Sequence, residues 1–202
     1  MTQRNENKLI VFGARGRVGR AVVAEARARG YEVTEAGRAD ADVTSADDVT
    51  RLAAGHHAAV VAVYDAQAAP GVFFPAAARG LAAGLGRAGV GRLVSVGLAS
   101  VLPTASGAAL MDTPGYPQEW REFYVGHGAG TDALEAAAPT GLDWAVLSPA
   151  GDFDHDGVPG GGYAFAPADA GSRITPADFA RAVLDEVRTP TVHGAHAGVT
   201  AA

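Results

Sequence analysis

A doubly wound α/β fold built on a parallel sheet is the architecture this sequence predicts, and three observations predict it. An unbroken apolar run from Leu9 to Phe12 gives way to Gly13, Gly16 and Gly19 and then to an Ala/Val-rich helical pattern, the signature of a buried strand, a glycine turn and a helix. Further apolar runs alternate with helix-length segments, as parallel strands joined by crossover helices do. The 202 residues suit one Rossmann-like domain with a small C-terminal appendage on the substrate side.

In chain order, residues 17–29 form the first helix, with Val18, Ala21, Val22 and Ala26 on one face and Gly30 as its left-handed stop. Tyr31 to Ala36 is the second strand, ending in Gly37-Arg38. Asp40 to Thr44 reads as a short strand, and Ser45 with Asp48 makes an N-terminal box for a helix reaching Ala54. Ala58 to Tyr64 is the next strand. An Ala-rich helix follows from Phe74 to Ala88, and Arg92 to Gly97 is another buried strand. The Gly/Pro/Thr-rich stretch from Leu98 to Gln118 is long for a loop in a compact domain, which marks it as functional. Glu119 to Ala137 is helical at both ends, but Gly126, Gly128 and Gly130 each cost about 1 kcal/mol in a helix, so a break is expected there. Leu142 to Leu147 is a strand leading into Ser148-Pro149-Ala150. Thr175, Pro176 and Asp178 start a helix over 176–187, by cap, first-turn proline and N3 acid. A short strand within Thr191 to Val199 closes the sheet.

Composition excludes several kinds of chemistry. The formal charge of −6 argues against nucleic acid as the main partner, because phosphate binding needs a basic face. No cysteine is present, so thiolate nucleophiles, disulfides and Cys-ligated metals are out, and redox chemistry has to come from a cofactor. The polar start MTQRNEN has no apolar signal core, and no stretch approaches ~20 apolar residues; a soluble, cytoplasmic protein without membrane contact is expected. Lys8 is the sole lysine, at the start of the first strand, so no lysine elsewhere supplies a catalytic cation.

The glycines carry the first functional signal. One permits the tight turn, one lets backbone approach a pyrophosphate, and one lets the helix pack closely, while the phosphates sit on free N–H groups at the helix N-terminus. Ligands of such sheets bind beyond the carboxyl ends of the strands, here Gly13, Arg38, Tyr64 and Gly97. An acidic residue ending the second strand would take the ribose hydroxyls of NAD, whereas an arginine suits the extra phosphate of NADP. Arg38 stands there and Arg15 can converge on the same phosphate, with Glu35 close enough to compete for the assignment. NADP(H) is therefore the expected cofactor, with NAD(H) as the alternative.

GARGRVG after the first strand, GR after the second, LVSVGLAS, LMDTPGYPQEW, LDWAVLSPA and SRITPADFARAVLDE together resemble the atypical short-chain dehydrogenases. The resemblance is to the small NAD(P)H-binding proteins called NADH-flavin reductase-like, related to biliverdin-IXβ/flavin reductase and to the NmrA-like group. It runs over nearly the whole chain and speaks to fold and cofactor more than to substrate. It implies that Gly13, Arg15, Gly16, Arg17 and Val18 lie along the cofactor phosphates and Arg38 at the 2′-phosphate. It places Asp42 and Val43 near adenine, Val63 and Tyr64 near the ribose, and Gly97, Pro149 and Ala150 near the nicotinamide. The sequence departs from the typical dehydrogenase pattern in one chemical respect. A lysine four residues after the catalytic tyrosine normally lowers its pKa, but Tyr124 is followed at that spacing by Gly128.

Candidate catalytic residues are accordingly Ser100, a hydrogen-bond donor after the strand carrying Gly97; His127, a proton donor or a pocket wall; and Tyr124, untuned by any lysine. His57, opening a buried strand, reads as structural. The acidic run Asp152, Asp154, Asp156 begins like a calcium loop, but Tyr163 occupies the place of its bidentate Glu, so no metal is expected. These readings converge on an NADPH-dependent oxidoreductase acting on a conjugated small-molecule acceptor such as a flavin or quinone, which needs little acid catalysis. The alternative is a non-catalytic NAD(P)-sensing protein of the NmrA-like kind.

Overall fold

Leu9, Ile10, Val11 and Phe12 are shielded on both faces and form the strand on which the sheet is laid. The structure, a computed structural model describing residues 7–202, pairs this β1 (Lys8–Phe12) in parallel with β2 (Glu32–Ala36) on one side and β3 (Ala58–Val61) on the other. β4 (Arg92–Val96), β5 (Asp143–Pro149) and β9 (Ala195–Ala201) extend the parallel run, and β7 (Tyr163–Phe165) closes the edge antiparallel to β9. In the order β2-β1-β3-β4-β5-β9-β7 the winding reverses about β1, and the crevice at which such sheets bind ligands opens between β1 and β3. The appendage is this edge strand together with a two-stranded parallel pair, β6 (Asp152–Phe153) and β8 (Arg173–Ile174).

Helices cover both faces. α1 (Arg17–Ala28) and α5 (Pro176–Arg188) pack on one, burying Val22, Val23, Phe179 and Val183 against Leu9, Val11 and Val94. α2 (Ala46–Ala53), α3 (Pro70–Ala88) and α4 (Arg121–Ala137) cover the other, over Ile10, Phe12, Leu93 and Val146. Both expected N-caps form, Ser45 accepting the N–H of Asp48 and Thr175 that of Asp178, but neither acid returns a bond to the cap N–H: Asp48 accepts the N–H of Asp42 instead, and Asp178 the Thr175 hydroxyl and the Gly160 N–H. Among the described residues no helix is long and apolar enough to cross a membrane.

Several expectations need correction. Asp40 to Thr44 is not a strand; the Asp42 carboxylate accepts both the N–H and the hydroxyl of Thr44, so a side chain takes the backbone group a ladder would have used. α3 starts four residues earlier than expected, with Pro70 in its first turn after Ala69, where the missing N–H costs nothing. The closing strand starts at Ala195, because Thr191 and Val192 are held instead by the Glu186 side chain.

The largest correction is that α4 has no break. Its glycines are there for the neighbouring helix: a Cβ at Gly126 would lie 2.6 Å from Pro70, and one at Gly130 2.8 Å from Phe74 Cβ. Close approach of α3 thus returns, as packing, what two of the three glycines, Gly126 and Gly130, cost in propensity. Gly126→Ala should therefore lower the melting temperature. Gly128→Ala, whose Cβ would meet only Val101 at 3.3 Å, should leave it unchanged or raise it, since alanine gains about 1 kcal/mol in helix propensity. Thermal unfolding of the two variants followed by circular dichroism checks this.

Candidate active site

The turn after β1 shows why glycine is required. Gly13 has φ +78°, and a Cβ on it would lie 2.1 Å from the Ala62 carbonyl oxygen; one on Gly19 would lie 2.1 Å from that of Gly13. Gly13 therefore makes the turn and Gly19 seats α1 on it. Gly16 is the exposed N-cap of α1, with no side-chain cap and no acid in the first turn. The N–H groups of Arg17, Val18 and Gly19 have no helical acceptor there, and Arg15 and Arg17 flank them. This end of the helix is fitted for a phosphate.

A cleft of about 550 Å³ runs from this turn across the carboxyl ends of β1, β2 and β3. Its walls include Gly13, Gly16, Arg38, Asp42, Val43 and Val63, with Tyr64 and Phe73 at the rim. Arg15 lies across Gly37, within 3.5 Å of Asp40, while Arg38 reaches Asp65 at 3.2 Å and the Tyr64 carbonyl at 3.3 Å. Glu35, the competing acid, is tied to Arg27 of α1 at 2.6 Å and does not line the cleft. The mouth at the end of β2 is thus bordered by two arginines whose existing ion pairs are exposed and weak. These groups fit a dinucleotide: backbone donors for the pyrophosphate, the Asp42–Val43 wall for adenine, and guanidinium groups for a phosphate on the ribose.

A second cleft, about 420 Å³, opens beyond β4 and β5. It is lined by Leu98, Ser100, Leu110, Tyr116, Tyr124 and Arg173, among others. Ser100 sits in a 3₁₀ turn (Ala99–Val101) directly after β4, and its hydroxyl is 2.9 Å from that of Tyr116. The ring of Tyr116 packs edge-on to Tyr124, centroids 5.5 Å apart. The two clefts are linked through α4: Phe123 meets Tyr64 of the first at 5.4 Å, and its neighbour Tyr124 lines the second. Burial first, then Tyr116 and Glu119, raises the pKa of the Tyr124 hydroxyl, opposite to what acid catalysis at neutral pH would need.

His127 does not line either cleft. It lines a separate small pocket of about 50 Å³ with Ser95, Thr131 and Val63, the last shared with the first cleft, and its ring lies 3.8 Å from that of Phe74 and 4.9 Å from that of Phe123 between centroids. Burial, with His196 nearby, holds its pKa down at about 4. It is therefore a neutral pocket wall at pH 7 and does not stand where a proton donor to the second cleft would. Gly97 stands against Ser148 and His196, which are hydrogen-bonded at 2.6 Å; burial also lowers the His196 pKa to about 4. Pro149 ends β5 and Ala150 follows it, wholly buried and with its N–H given to the Val199 carbonyl. They back the strand ends and are absent from the walls of both clefts; Gly151 and Asp152 line the second cleft instead. His57 is at the opposite, amino edge of the sheet, stacked on Tyr31.

The two low histidine pKa values carry a sign. An unfolded chain protonates these rings near pH 6.5, whereas the folded protein does so near 4. Between those values the unfolded state binds more protons, so stability falls as the pH drops through this window and levels off below it. The upper part of the window, from about pH 5 to 6.5, lies above the range in which ordinary carboxylates titrate. Urea midpoints measured from about pH 7 to 5 should decline, and His127→Gln should flatten the decline.

Glycine turn, free helix N-terminus and paired arginines define a dinucleotide-binding protein of the Rossmann class. The chain belongs to the NAD(P)H-binding family, whose model matches residues 35–190. The uncharacterized protein YwnB of Bacillus subtilis (strain 168) is 34% identical over 200 residues, covering 91% of this chain and 93% of that one. Among solved structures, a Streptococcus pneumoniae TIGR4 protein provisionally named an NADH-flavin reductase matches with a TM-score of 0.81 at 26% identity, over 96% of this chain and 99% of that one. A Bacteroides thetaiotaomicron protein provisionally named an epimerase also reaches 0.81 at 26% identity, over 96% and 97%.

Tyr116 is the residue that the sequence did not single out. Its only local signal is its place between Gly115 and Pro117, a stiff turn that presents one aromatic side chain.

Proposed function

We propose that the chain is an oxidoreductase that takes NADPH in preference to NADH and passes a hydride to a flat, conjugated small molecule such as a flavin or quinone. The observation that carries this reading is the second cleft. A protein that only grips a dinucleotide has no use for a second pocket of mixed apolar and polar lining beyond the end of β4, and here one is built from Leu98, Leu110, Ser100, Tyr116, Tyr124 and Arg173. The likeness to the pneumococcal protein supports the same class. When bound, the cofactor supplies the hydride. The residues of this chain hold it at the glycine turn and the arginines, exclude water between the aromatic side chains of α3 and α4, and align the acceptor. Arg38 and Arg15 support the NADPH preference.

The test is NADPH consumption across a panel of flavins and quinones, each set against its protein-free rate. Catalysed rates well above background are expected. Rates that never exceed background, with cofactor binding demonstrated, would replace this reading with that of a cofactor sensor.

A further inference from the structure

Every titratable side chain of the second cleft has a position that bears on proton delivery. Tyr124 is 7% exposed and packed behind Tyr116. Asp152 has a carboxylate oxygen held by the N–H of Phe153, and Arg173 gives one guanidinium nitrogen to the carbonyls of Ala170 and Ser172. Tyr116 is half-buried, with its ring against the apolar cluster of Ala99, Leu102, Leu110 and Ala168 and its hydroxyl on that of Ser100. Ser100 itself is 1% exposed, so it reaches a ligand less readily than Tyr116 does. It stands where it can support the oxygen of Tyr116.

We infer that Tyr116, backed by Ser100, is the proton donor of this site, and that the acceptors it favours are conjugated carbonyl compounds, quinones above all, whose reduction ends in a new O–H bond. The inference rests on the reductase reading. Reduction of such an acceptor requires a hydride with its electron pair, which comes from the reduced nicotinamide and oxidises it, and one proton. The Tyr116 O–H bond breaks as the O–H bond on the acceptor oxygen forms. The Ser100 hydroxyl turns to donate to the phenolate that remains, a charge-assisted bond stronger than the neutral one it replaces. Solvent then returns the proton to Tyr116. No lysine is needed, because the compensating donor is a neighbouring hydroxyl.

The experiment compares naphthoquinone, which needs the proton, with N-methylacridinium, which takes a hydride on carbon and needs none. Tyr116→Phe should slow the protein-dependent reduction of naphthoquinone about 100-fold or more, the usual scale of general acid catalysis, and leave that of N-methylacridinium within about threefold. Ser100→Ala should show the same selectivity more weakly, and Tyr124→Phe should change either rate by less than about tenfold. Independently of turnover, naphthoquinone binding to cofactor-free protein, followed by tryptophan fluorescence, should weaken roughly 2- to 10-fold in Tyr116→Phe, the weight of one neutral hydrogen bond. Binding of N-methylacridinium should not change. Equal slowing of both acceptors, or of neither, in a Tyr116→Phe protein that is folded and binds NADPH normally overturns the assignment. If wild type accelerates neither acceptor, the reductase reading itself has failed, and the proton donor with it.

Discussion

Arg38→Ala raises the dissociation constant for NADPH about 10- to 150-fold and leaves that for NADH within about threefold. The range follows from the ~1.5–3 kcal/mol that a hydrogen bond to a charged group contributes. The asymmetry follows from position: Arg38 borders the cleft at the end of β2, where only the ribose phosphate of NADPH would meet it. Its pair with Asp65 at 3.2 Å is exposed and is a weak competitor for a phosphate dianion. Arg15, within 3.5 Å of Asp40, contributes from the other side, so Arg15→Ala acts in the same direction. Calorimetric titration of both cofactors into wild type and variants checks the claim. Equal affinity of the wild type for NADPH and NADH would sink it.

The largest effect on stability comes from Arg92→Met, at about 3–5 kcal/mol. Arg92 is 5% exposed and Glu186 2%, with 3.0 Å between them. Arg92 also meets Asp143 at 2.8 Å and donates to the carbonyls of Glu186 and Val192. Glu186 in turn accepts the N–H groups of Thr191 and Val192 and the Thr191 hydroxyl. One side-chain pair thus fastens the start of β4, the end of α5 and the approach to β9. Removing the arginine leaves a buried carboxylate without its cation, whereas removing both charges leaves neither stranded. Arg92→Met with Glu186→Met should therefore cost less than Arg92→Met alone, apart from the carbonyls and N–H groups left unpaired. Urea unfolding of the single and double variants measures it. Because the latch is at the amino edge of the sheet, away from both clefts, the folded fraction of each variant should still bind NADPH.

The parts of the molecule that the sequence announces are those set by local physics. The run Leu9 to Phe12 can only be a strand covered on both faces, Gly13 supplies a positive φ, and Thr175 with Asp178 starts α5 by satisfying its own first turn. What stayed hidden was set by distant residues. Nothing near Gly126 says that Pro70 will lie against it, and Glu186 is 94 positions from the arginine it neutralises. The first cleft was legible for the same local reason, since its glycines and arginines sit within a few residues of strand ends. The second cleft depends on a loop folding back from residue 116 onto residue 100, which no periodicity records. The choice for His127 between proton donor and pocket wall stayed open on the same ground: a helix periodicity says which face a residue occupies, but not that Phe74 and Phe123 stand around it.

The measurement that reaches the central claim most directly is isotope transfer. NADPH carrying deuterium at the nicotinamide C4 is incubated with the protein and a conjugated acceptor whose reduced form retains hydrogen on carbon, such as N-methylacridinium, and the product is examined by mass spectrometry and NMR. Hydride transfer on this protein predicts deuterium in the reduced acceptor, at a rate proportional to protein concentration and well above the protein-free rate, with only one of the two C4 hydrogens delivered, because a fixed site presents one face of the ring. Loss of both C4 hydrogens in the proportions of the uncatalysed reaction, at a rate indifferent to the amount of protein that binds NADPH, would contradict it.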